Sequence, residues 1–173
     1  LRERVLESFK RLPNGANAAF YQQGALSFDQ VAAAAVIPRP RGIGSVDVVP
    51  ATLAGPPSQG LLQEMQVYFE ARREIAVDVK VRAPETVTVN VSVQVEPQEK
   101  QNGAQVRERV EETIRNRFNG RLLGRRVLLA WLGSLIYNCE GVANYAITAP
   151  AADVAVAEDQ LPVLGTLKVE VKG

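Results

Sequence analysis

The chain has 173 residues, of which 46% are hydrophobic and 23% are charged, a composition typical of a folded water-soluble protein. Lysine and arginine number 20 against 19 acidic residues, so no net field draws the whole chain to nucleic acid or to an anionic membrane. The longest apolar run, 127–137, is much shorter than the roughly 20 residues that span a bilayer, so no membrane insertion is expected.

The residue types that most often carry chemistry are scarce. Histidine is absent, which removes the commonest general base and transition-metal ligand. Cys139 is the single cysteine, so it forms neither a disulfide framework nor a cysteine zinc site, and the neighbouring Glu140 does not favour a thiolate. We therefore predict no catalytic residue, no metal site and no bound cofactor, and a protein that is not an enzyme.

The first half of the chain predicts helices and short strands in alternation. A first helix is predicted from Leu1 with an apolar face at every third or fourth residue, which suggests a piece cut from a longer protein, and Asn17 caps a second helix reaching Gly24. A strand follows over 31–37, and a second one around Val46 and Val48 is expected to end at Pro50. Ser58 then caps an amphipathic helix with four apolar residues on one side: Leu61, Leu62, Met65 and Phe69.

Two strands with strict alternation occupy the centre of the sequence. Valine or isoleucine recurs at every second position over 75–81 and again over 87–95, which predicts sheets with one buried and one wet face. The connection Ala83–Thr86 is either a hairpin loop or a passage between two domains, and Pro84 interrupts any strand pairing there.

The last third predicts two helices and two strands. Asn102 caps a helix with a stripe formed by Val106, Val110, Ile114 and Phe118. A second helix over 125–138 is apolar nearly all round and should be buried on more than one side. A strand over 142–147, a loop over 154–164 and a closing strand at Leu167, Val169 and Val171 complete the chain.

The two halves share an order of elements. A helix, a strand beginning at valine and ending near proline, a link and a Gly-Ser or Gly-Thr strand occur at Gly24 to Val48 and again at Gly133 to Val169. Small αβ units can converge on such patterns. The alternative is an α+β fold of two small related subdomains, 1–83 and 84–173, each a short mixed or antiparallel sheet with helices packed on one face.

The sequence resembles the baseplate J family of contractile phage tails. The matching stretches include AAFYQQGA, GPPSQGLLQEMQVYF, AVDVKVRAP, VTVNVSVQVEP, EGVANYAITAP and LGTLKVEV, so the resemblance covers nearly the whole chain, as a C-terminal portion. It implies a structural subunit of the tail baseplate wedge, in a phage, prophage or tailocin. It also implies contacts with other wedge proteins and with copies of itself in a ring, location in the virion tail after synthesis in the host cytoplasm, and no small-molecule substrate.

Several polar motifs have more ordinary explanations. The adjacent acids Glu111-Glu112 and Glu158-Asp159 are predicted to be solvated, since a glycosidase pair must face across a cleft. The stretch 42–45, Gly-Ile-Gly-Ser, lacks the lysine of a phosphate loop and precedes a strand, so a turn is predicted.

An arginine cluster is the strongest candidate for binding. Seven arginines face three glutamates in the same region, an excess of four positive charges (seven minus three): Arg107, Arg109, Arg115, Arg117, Arg121, Arg125 and Arg126 against Glu108, Glu111 and Glu112. The cluster is either a solvated helix face, a site for an acidic protein surface or a nucleic-acid site. The absence of interleaved aromatic residues favours a protein partner over nucleic acid. Interface candidates are Leu122, Leu123 and Trp131, although Trp131 fits a core position better.

Overall fold

A computed structural model of the chain describes residues 17–172 and divides the fold into two compact units, the first ending at Glu85 and the second beginning at Thr86. The helix predicted from Leu1 lies outside the described residues. No helix among those that are described is long and apolar enough to cross a bilayer.

The first unit contains two helices and three strands. Its elements are α1 (Ala18–Leu26), β1 (Val31–Pro38), β2 (Ser45–Thr52), α2 (Gln59–Glu70) and β3 (Asp78–Val81). Strand β1 pairs antiparallel with β2, and β2 pairs parallel with β3, in the order β1-β2-β3. Both predicted caps are confirmed, because Asn17 accepts a hydrogen bond from the Phe20 N–H and Ser58 accepts one from the Leu61 N–H.

A single apolar cluster fills one side of the first sheet. Tyr21 and Ala25 from α1 meet Met65 and Phe69 from α2 over Val48 of β2, and all five are buried. The four apolar residues predicted for α2 are all buried. Both helices therefore lie on one face of the sheet, as predicted.

The strand β2 does not end at Pro50, as the sequence suggested. Pro50 pairs with Ala34 of β1, and the strand continues to Thr52. The Val48 carbonyl accepts a hydrogen bond from the Arg82 N–H, on the β3 side of β2. Backbone groups two residues apart point the same way along a strand, so the Pro50 nitrogen also points to that side, beyond the end of β3. Proline therefore removes no ladder hydrogen bond there.

The second unit also contains a three-stranded sheet with helices on one face. Its elements are β4 (Glu85–Pro97), α3 (Gly103–Arg117), a 3₁₀ turn (Gly120–Leu122), α4 (Leu129–Tyr137), β5 (Val142–Ala149) and β6 (Gln160–Val171). The sheet order is β5-β4-β6, with β4 and β5 antiparallel. Since β3 and β4 belong to different sheets, the segment Ala83–Thr86 is a passage between units and not a hairpin.

Alternate residues of β4 form the floor of the second core. Val89, Val91, Val93 and Val95 are buried, and they pack with the α3 stripe and with residues of α4, while the intervening side chains face water. The stripe is confirmed: Val106, Val110 and Ile114 are buried and Phe118 packs against them. The Asn102 cap is confirmed by its hydrogen bond from the Ala104 N–H.

Three further expectations for strand and helix ends were wrong. The strand predicted over 75–81 is shorter than expected and begins at Asp78, because Ile75 lies in the loop after α2. The helix predicted over 125–138 begins at Leu129 and buries one side only, at Leu132, Gly133 and Ile136. The segment predicted as a loop over 154–164 contains the start of β6, in which Leu161 and Pro162 are both buried.

The α+β architecture with two subdomains is as predicted. The repeated order of a helix followed by two strands occurs in both units, as α1-β1-β2 and as α4-β5-β6. The pairing differs, however: β1 and β2 are direct neighbours, whereas β5 and β6 lie on either side of β4. The two halves therefore have the same order of elements along the chain but a different order of strands within their sheets.

Candidate functional site: an arginine surface on the second unit

The seven arginines from Arg107 to Arg126, called here the arginine surface, lie on α3 and on the segment that links it to α4. All are exposed except Arg109, which is half-buried. Helix α3 buries its valine and isoleucine stripe, so its charged residues are left on the solvent side.

Three members of the arginine surface have carboxylate neighbours. Glu111 lies between Arg107, at 3.9 Å, and Arg115, at 3.7 Å, in both cases one helical turn away. Arg109 lies 3.7 Å from Glu140, a residue that the sequence analysis did not count among its neighbours. Long, exposed ion pairs of this kind contribute little to stability. This half of the surface is a solvated helix face.

The other four arginines have a different environment. Arg117, Arg121, Arg125 and Arg126 form no ion pair with any described residue, and all four are exposed. Asn119 accepts a hydrogen bond from the Arg121 N–H, and the Gly124 N–H donates to the Gln160 carbonyl of β6 at 2.9 Å. Arg117 ends α3, and the segment that carries the other three arginines is tied to β6 by the main-chain hydrogen bond of Gly124.

A solvent-open groove of about 530 Å³ lies between the facing sides of α3 and α4. Arg109 and Arg117 line one wall, and Ser134, Asn138 and Cys139 line the other. The Cys139 thiol is partly buried; its sulfur lies 3.2 Å from the Leu135 carbonyl, to which it donates, and 3.4 Å from the Thr113 hydroxyl. Cys139 also packs against the second core, and its structural role stays a prediction.

The remaining polar motifs are the adjacent acids and the stretch 42–45, and they do not form a common site among the described residues. Glu111 serves the two arginines described above, and Glu158 is exposed in the loop before β6. The stretch 42–45 is a turn, closed by a hydrogen bond from the Ser45 N–H to the Gly42 carbonyl. Within residues 17–172, no group of three or more acidic or cysteine side chains is arranged to hold a metal ion.

The three predicted interface residues have different positions. Leu123 is buried, so its assignment to an exposed interface was wrong. Leu122 is half-buried at the end of the 3₁₀ turn. Trp131 packs edge-on against Phe118, with ring centroids 5.8 Å apart, on the second core, which agrees with the core position preferred for it.

The first unit contains a charged network that was not predicted from the sequence. Asp47 of β2 is 5% exposed and accepts hydrogen bonds from Arg82, at 2.7 Å, and from Arg41. Arg41 also donates to the Asp78 carboxylate at 2.9 Å. Burial alone would raise the pKa of Asp47, but the hydrogen bonds from Arg82 and Arg41 outweigh it and hold that pKa below its ordinary value. Asp47 alternates with Val46 and Val48, which pack in the core cluster, so the sequence pattern predicts a solvent-facing residue and gave no signal of its burial.

Comparisons with known proteins match both units. The model of the baseplate J-like central domain matches residues 13–93, and that of the baseplate J-like protein C-terminal domain matches residues 89–170. The chain is 26% identical over 182 residues to the phage-like element PBSX protein XkdT of Bacillus subtilis (strain 168). That alignment covers 98% of the chain and 52% of XkdT, so the chain spans about half the length of this curated relative.

A solved structure has a related fold. A chain in the cryo-electron microscopy structure of the anti-feeding prophage baseplate superposes with a TM-score of 0.56 at 12% identity, over 86% of this chain and 37% of that one. At this identity the match concerns the fold alone. Together, the two domain models account for the chain from residue 13 to residue 170, and the chain belongs to the baseplate J-like protein family.

Proposed function

We propose that the chain is a structural part of a contractile tail baseplate wedge, and that it acts through contacts with neighbouring wedge proteins and with copies of itself in the ring. The observation that carries the proposal is its membership of the baseplate J-like family over both domain models. The likeness to a baseplate chain of the anti-feeding prophage, a multi-subunit assembly, supports it at the level of fold.

In this role the chain catalyses no reaction. It is synthesised in the host cytoplasm and then becomes part of the tail of the assembled particle. The arginine surface fits this role, since four exposed arginines, one at the end of α3 and three on the segment tied to β6, offer planar, bidentate donors to the carboxylates of a partner protein. Charges of this kind set the rate and the specificity of association more than its strength.

Tail particles from the source phage or prophage test the role directly. The full-length gene, tagged, should yield particles that carry its product in the baseplate, and its deletion should stop baseplate completion. Complete, contractile tails in the deletion strain would contradict the proposal. A tag moved to an unrelated capsid protein is the control for labelling.

A second candidate function is nucleic-acid binding, favoured by the four arginines without an ion pair. Binding through them would neutralise phosphates and would weaken steeply as salt increases. Affinity for duplex and single-stranded DNA should be measured over a salt series for the wild type and for Arg121→Ala and Arg125→Ala. We expect millimolar binding that neither substitution alters; tight, salt-sensitive binding that both reduce would favour this second function.

A further inference from the structure

Two isoleucines of the first unit are almost fully exposed. Ile43 is 96% exposed in the loop between β1 and β2, and Ile75 is 98% exposed in the loop between α2 and β3. They are the most exposed large apolar side chains among the described residues. Single apolar residues on a surface are ordinary, but two adjacent, fully exposed β-branched residues are a better indication of a binding site.

The two loops lie side by side at one end of the first sheet. Strands β2 and β3 are parallel, with Ser45 opposite Asp78, so the residues before each strand meet at the same edge. The Asp78 N–H donates to the Gly44 carbonyl at 2.7 Å. A Cβ built on Gly44 would lie 3.0 Å from the Ala76 carbonyl oxygen. Ile43 and Ile75 therefore belong to one surface, called here the isoleucine tip.

Arg41 holds the first loop of the isoleucine tip in place. Its guanidinium donates hydrogen bonds to the Asp47 and Asp78 carboxylates and to the Asp78 carbonyl. The main-chain N–H of Arg41 donates to the Ser45 hydroxyl at 3.0 Å. The Ser45 hydroxyl in turn donates to the Gly42 carbonyl at 2.7 Å. The turn that presents Ile43 is thus tied to β2 and β3 by side chains as well as by main chain.

Arg73 holds the second loop in a similar way. Its guanidinium donates to the Ile75 carbonyl at 3.2 Å and to the Val77 carbonyl at 2.7 Å, and it pairs with Glu70 of α2 at 2.5 Å. Loops that are ordered before binding lose little conformational entropy when a partner covers them. Two exposed apolar residues on ordered loops can therefore contribute efficiently to binding.

Positive and negative charges are equal in number around the isoleucine tip, but two of its arginines have no ion pair among the described residues. The two loops, 39–43 and 72–76, carry four arginines and one glutamate. Three further carboxylates pair with these arginines: Asp47, Asp78 and Glu70. Arg41 and Arg73 are paired with carboxylates, whereas Arg39 and Arg72 form no ion pair with a described residue. The Arg72 guanidinium lies 4.1 Å from the centre of the Tyr68 ring and donates to the Tyr68 carbonyl, so it is held at the surface with its charge unpaired. Arg39 also has a φ of +59°, a conformation that is uncommon and costs free energy in a non-glycine residue.

We propose that the isoleucine tip is a docking surface, with Ile43 and Ile75 inserted in an apolar pocket of a different protein of the tail, whose rim carries carboxylates that face Arg39 and Arg72. This inference rests on the proposed function. Rigid, branched side chains need a pocket of matching shape. A lipid surface would instead favour aromatic residues and a denser group of cations than the two loops provide.

Photo-crosslinking in assembled particles tests the docking surface. A photoreactive amino acid is placed at position 43 or 75 of the full-length chain, and at the exposed Gln63 of α2 as control. We expect positions 43 and 75 to cross-link to one other tail protein, in a peptide with apolar and acidic residues, and position 63 not to cross-link to that peptide.

Substitution supplies an independent measurement. The double change Ile43→Ser and Ile75→Ser should leave the melting temperature of the chain unaltered, because both side chains are exposed, and should reduce its incorporation into particles roughly tenfold or more. Val67→Ser, at a 70% exposed apolar residue of α2, is the matched control and should incorporate normally.

The possible outcomes separate the docking surface from the proposed function. If the chain is in the particle but positions 43 and 75 give no cross-link, or cross-link to a second copy of the chain, the docking surface is wrong and the baseplate role stands. Binding to vesicles of phosphatidylcholine and phosphatidylglycerol that the double substitution abolishes would also overturn it. A chain absent from the particle would overturn both.

Discussion

Asp47 of β2 and Arg82, the residue that follows β3, are joined by a hydrogen bond of 2.7 Å between the Asp47 Oδ2 and the Arg82 Nε. Asp47 is the only buried charged residue in the part of the chain that the structure describes. A carboxylate so placed is stable only when its partners stay in position, since an unpaired buried charge is costly. The pair therefore links the interior of the sheet to Arg41 and, through it, to the loop that presents Ile43.

Replacing Asp47 should destabilise the first unit. The change Asp47→Asn keeps the shape but leaves Arg82 and Arg41 without their shared carboxylate. We expect a loss of about 2 kcal/mol in the free energy of unfolding, less than the ~3–5 kcal/mol of a fully buried pair, because both arginines retain contact with water. Denaturant unfolding followed by circular dichroism measures it.

Asp78→Asn is the matched control for that substitution. The Asp78 carboxylate also pairs with Arg41, at 2.9 Å, but its side chain is 68% exposed. We expect less than about 1 kcal/mol from its loss. Equal effects of the two substitutions would show that burial of Asp47 has no energetic consequence.

The same carboxylate should make stability depend on acid. The pKa of Asp47 is lower in the folded chain than in the unfolded chain, so its contribution is complete above the unfolded pKa, about 3.9. That contribution is lost as the pH falls through the folded pKa. Between pH 5 and pH 2, roughly, the wild type should lose more stability than Asp47→Asn. Glu170, whose pKa Lys168 lowers, is common to both proteins and cancels in the difference. Parallel pH profiles would contradict this assignment.

Two glycines in helices should respond oppositely to alanine. A Cβ on Gly133 of α4 would overlap the hydroxyl of Tyr145 on β5 and lie 2.9 Å from its ring, whereas one on Gly60 of α2 meets nothing nearer than 4.0 Å. We expect Gly133→Ala to cost about 1–3 kcal/mol by overpacking. Gly60→Ala should gain up to about 1 kcal/mol in helix propensity. Thermal unfolding of the two variants side by side measures both, and a stabilised Gly133→Ala would show that the Tyr145 ring moves away without cost.

Local signals in the sequence were sufficient where an element is defined by its own residues. Asn17, Ser58 and Asn102 each directly precede a helix and accept a hydrogen bond from an N–H two or three residues further on. The alternating valines of β4 determine its buried face. The start of α4 is different, because its Leu129 N–H donates to the Asp153 carboxylate at 2.8 Å. A helix that is capped from 24 residues away has a beginning that its local sequence does not determine.

The candidate surfaces differ in the same way. The arginine surface is contiguous along the chain, so charge counting located it, although the pairing of Arg109 with Glu140 required the fold. The isoleucine tip could not be located from the sequence. Ile75 continues the alternation of β3 and was expected to be buried, and only the end of the strand pairing at Asp78 places it beside Ile43. Exposure depends there on where a strand stops, which hydrophobic periodicity does not specify.

If the boundary predicted at Pro84 separates two domains, the second unit should fold alone. Its buried cluster lies entirely between Val89 and Val169, while the cluster of the first unit lies between Tyr21 and Val81. A fragment of residues 84–173 retains β4 and every member of the second cluster, so we expect a single cooperative thermal transition, with helix and strand signals lost together. A fragment of residues 99–173 is the matched control. It lacks the central strand and the four buried valines of β4, so α3 and α4 have no sheet to cover, and it should remain unfolded. If 84–173 fails to fold while the intact chain does, the boundary at Pro84 separates two sheets but not two domains.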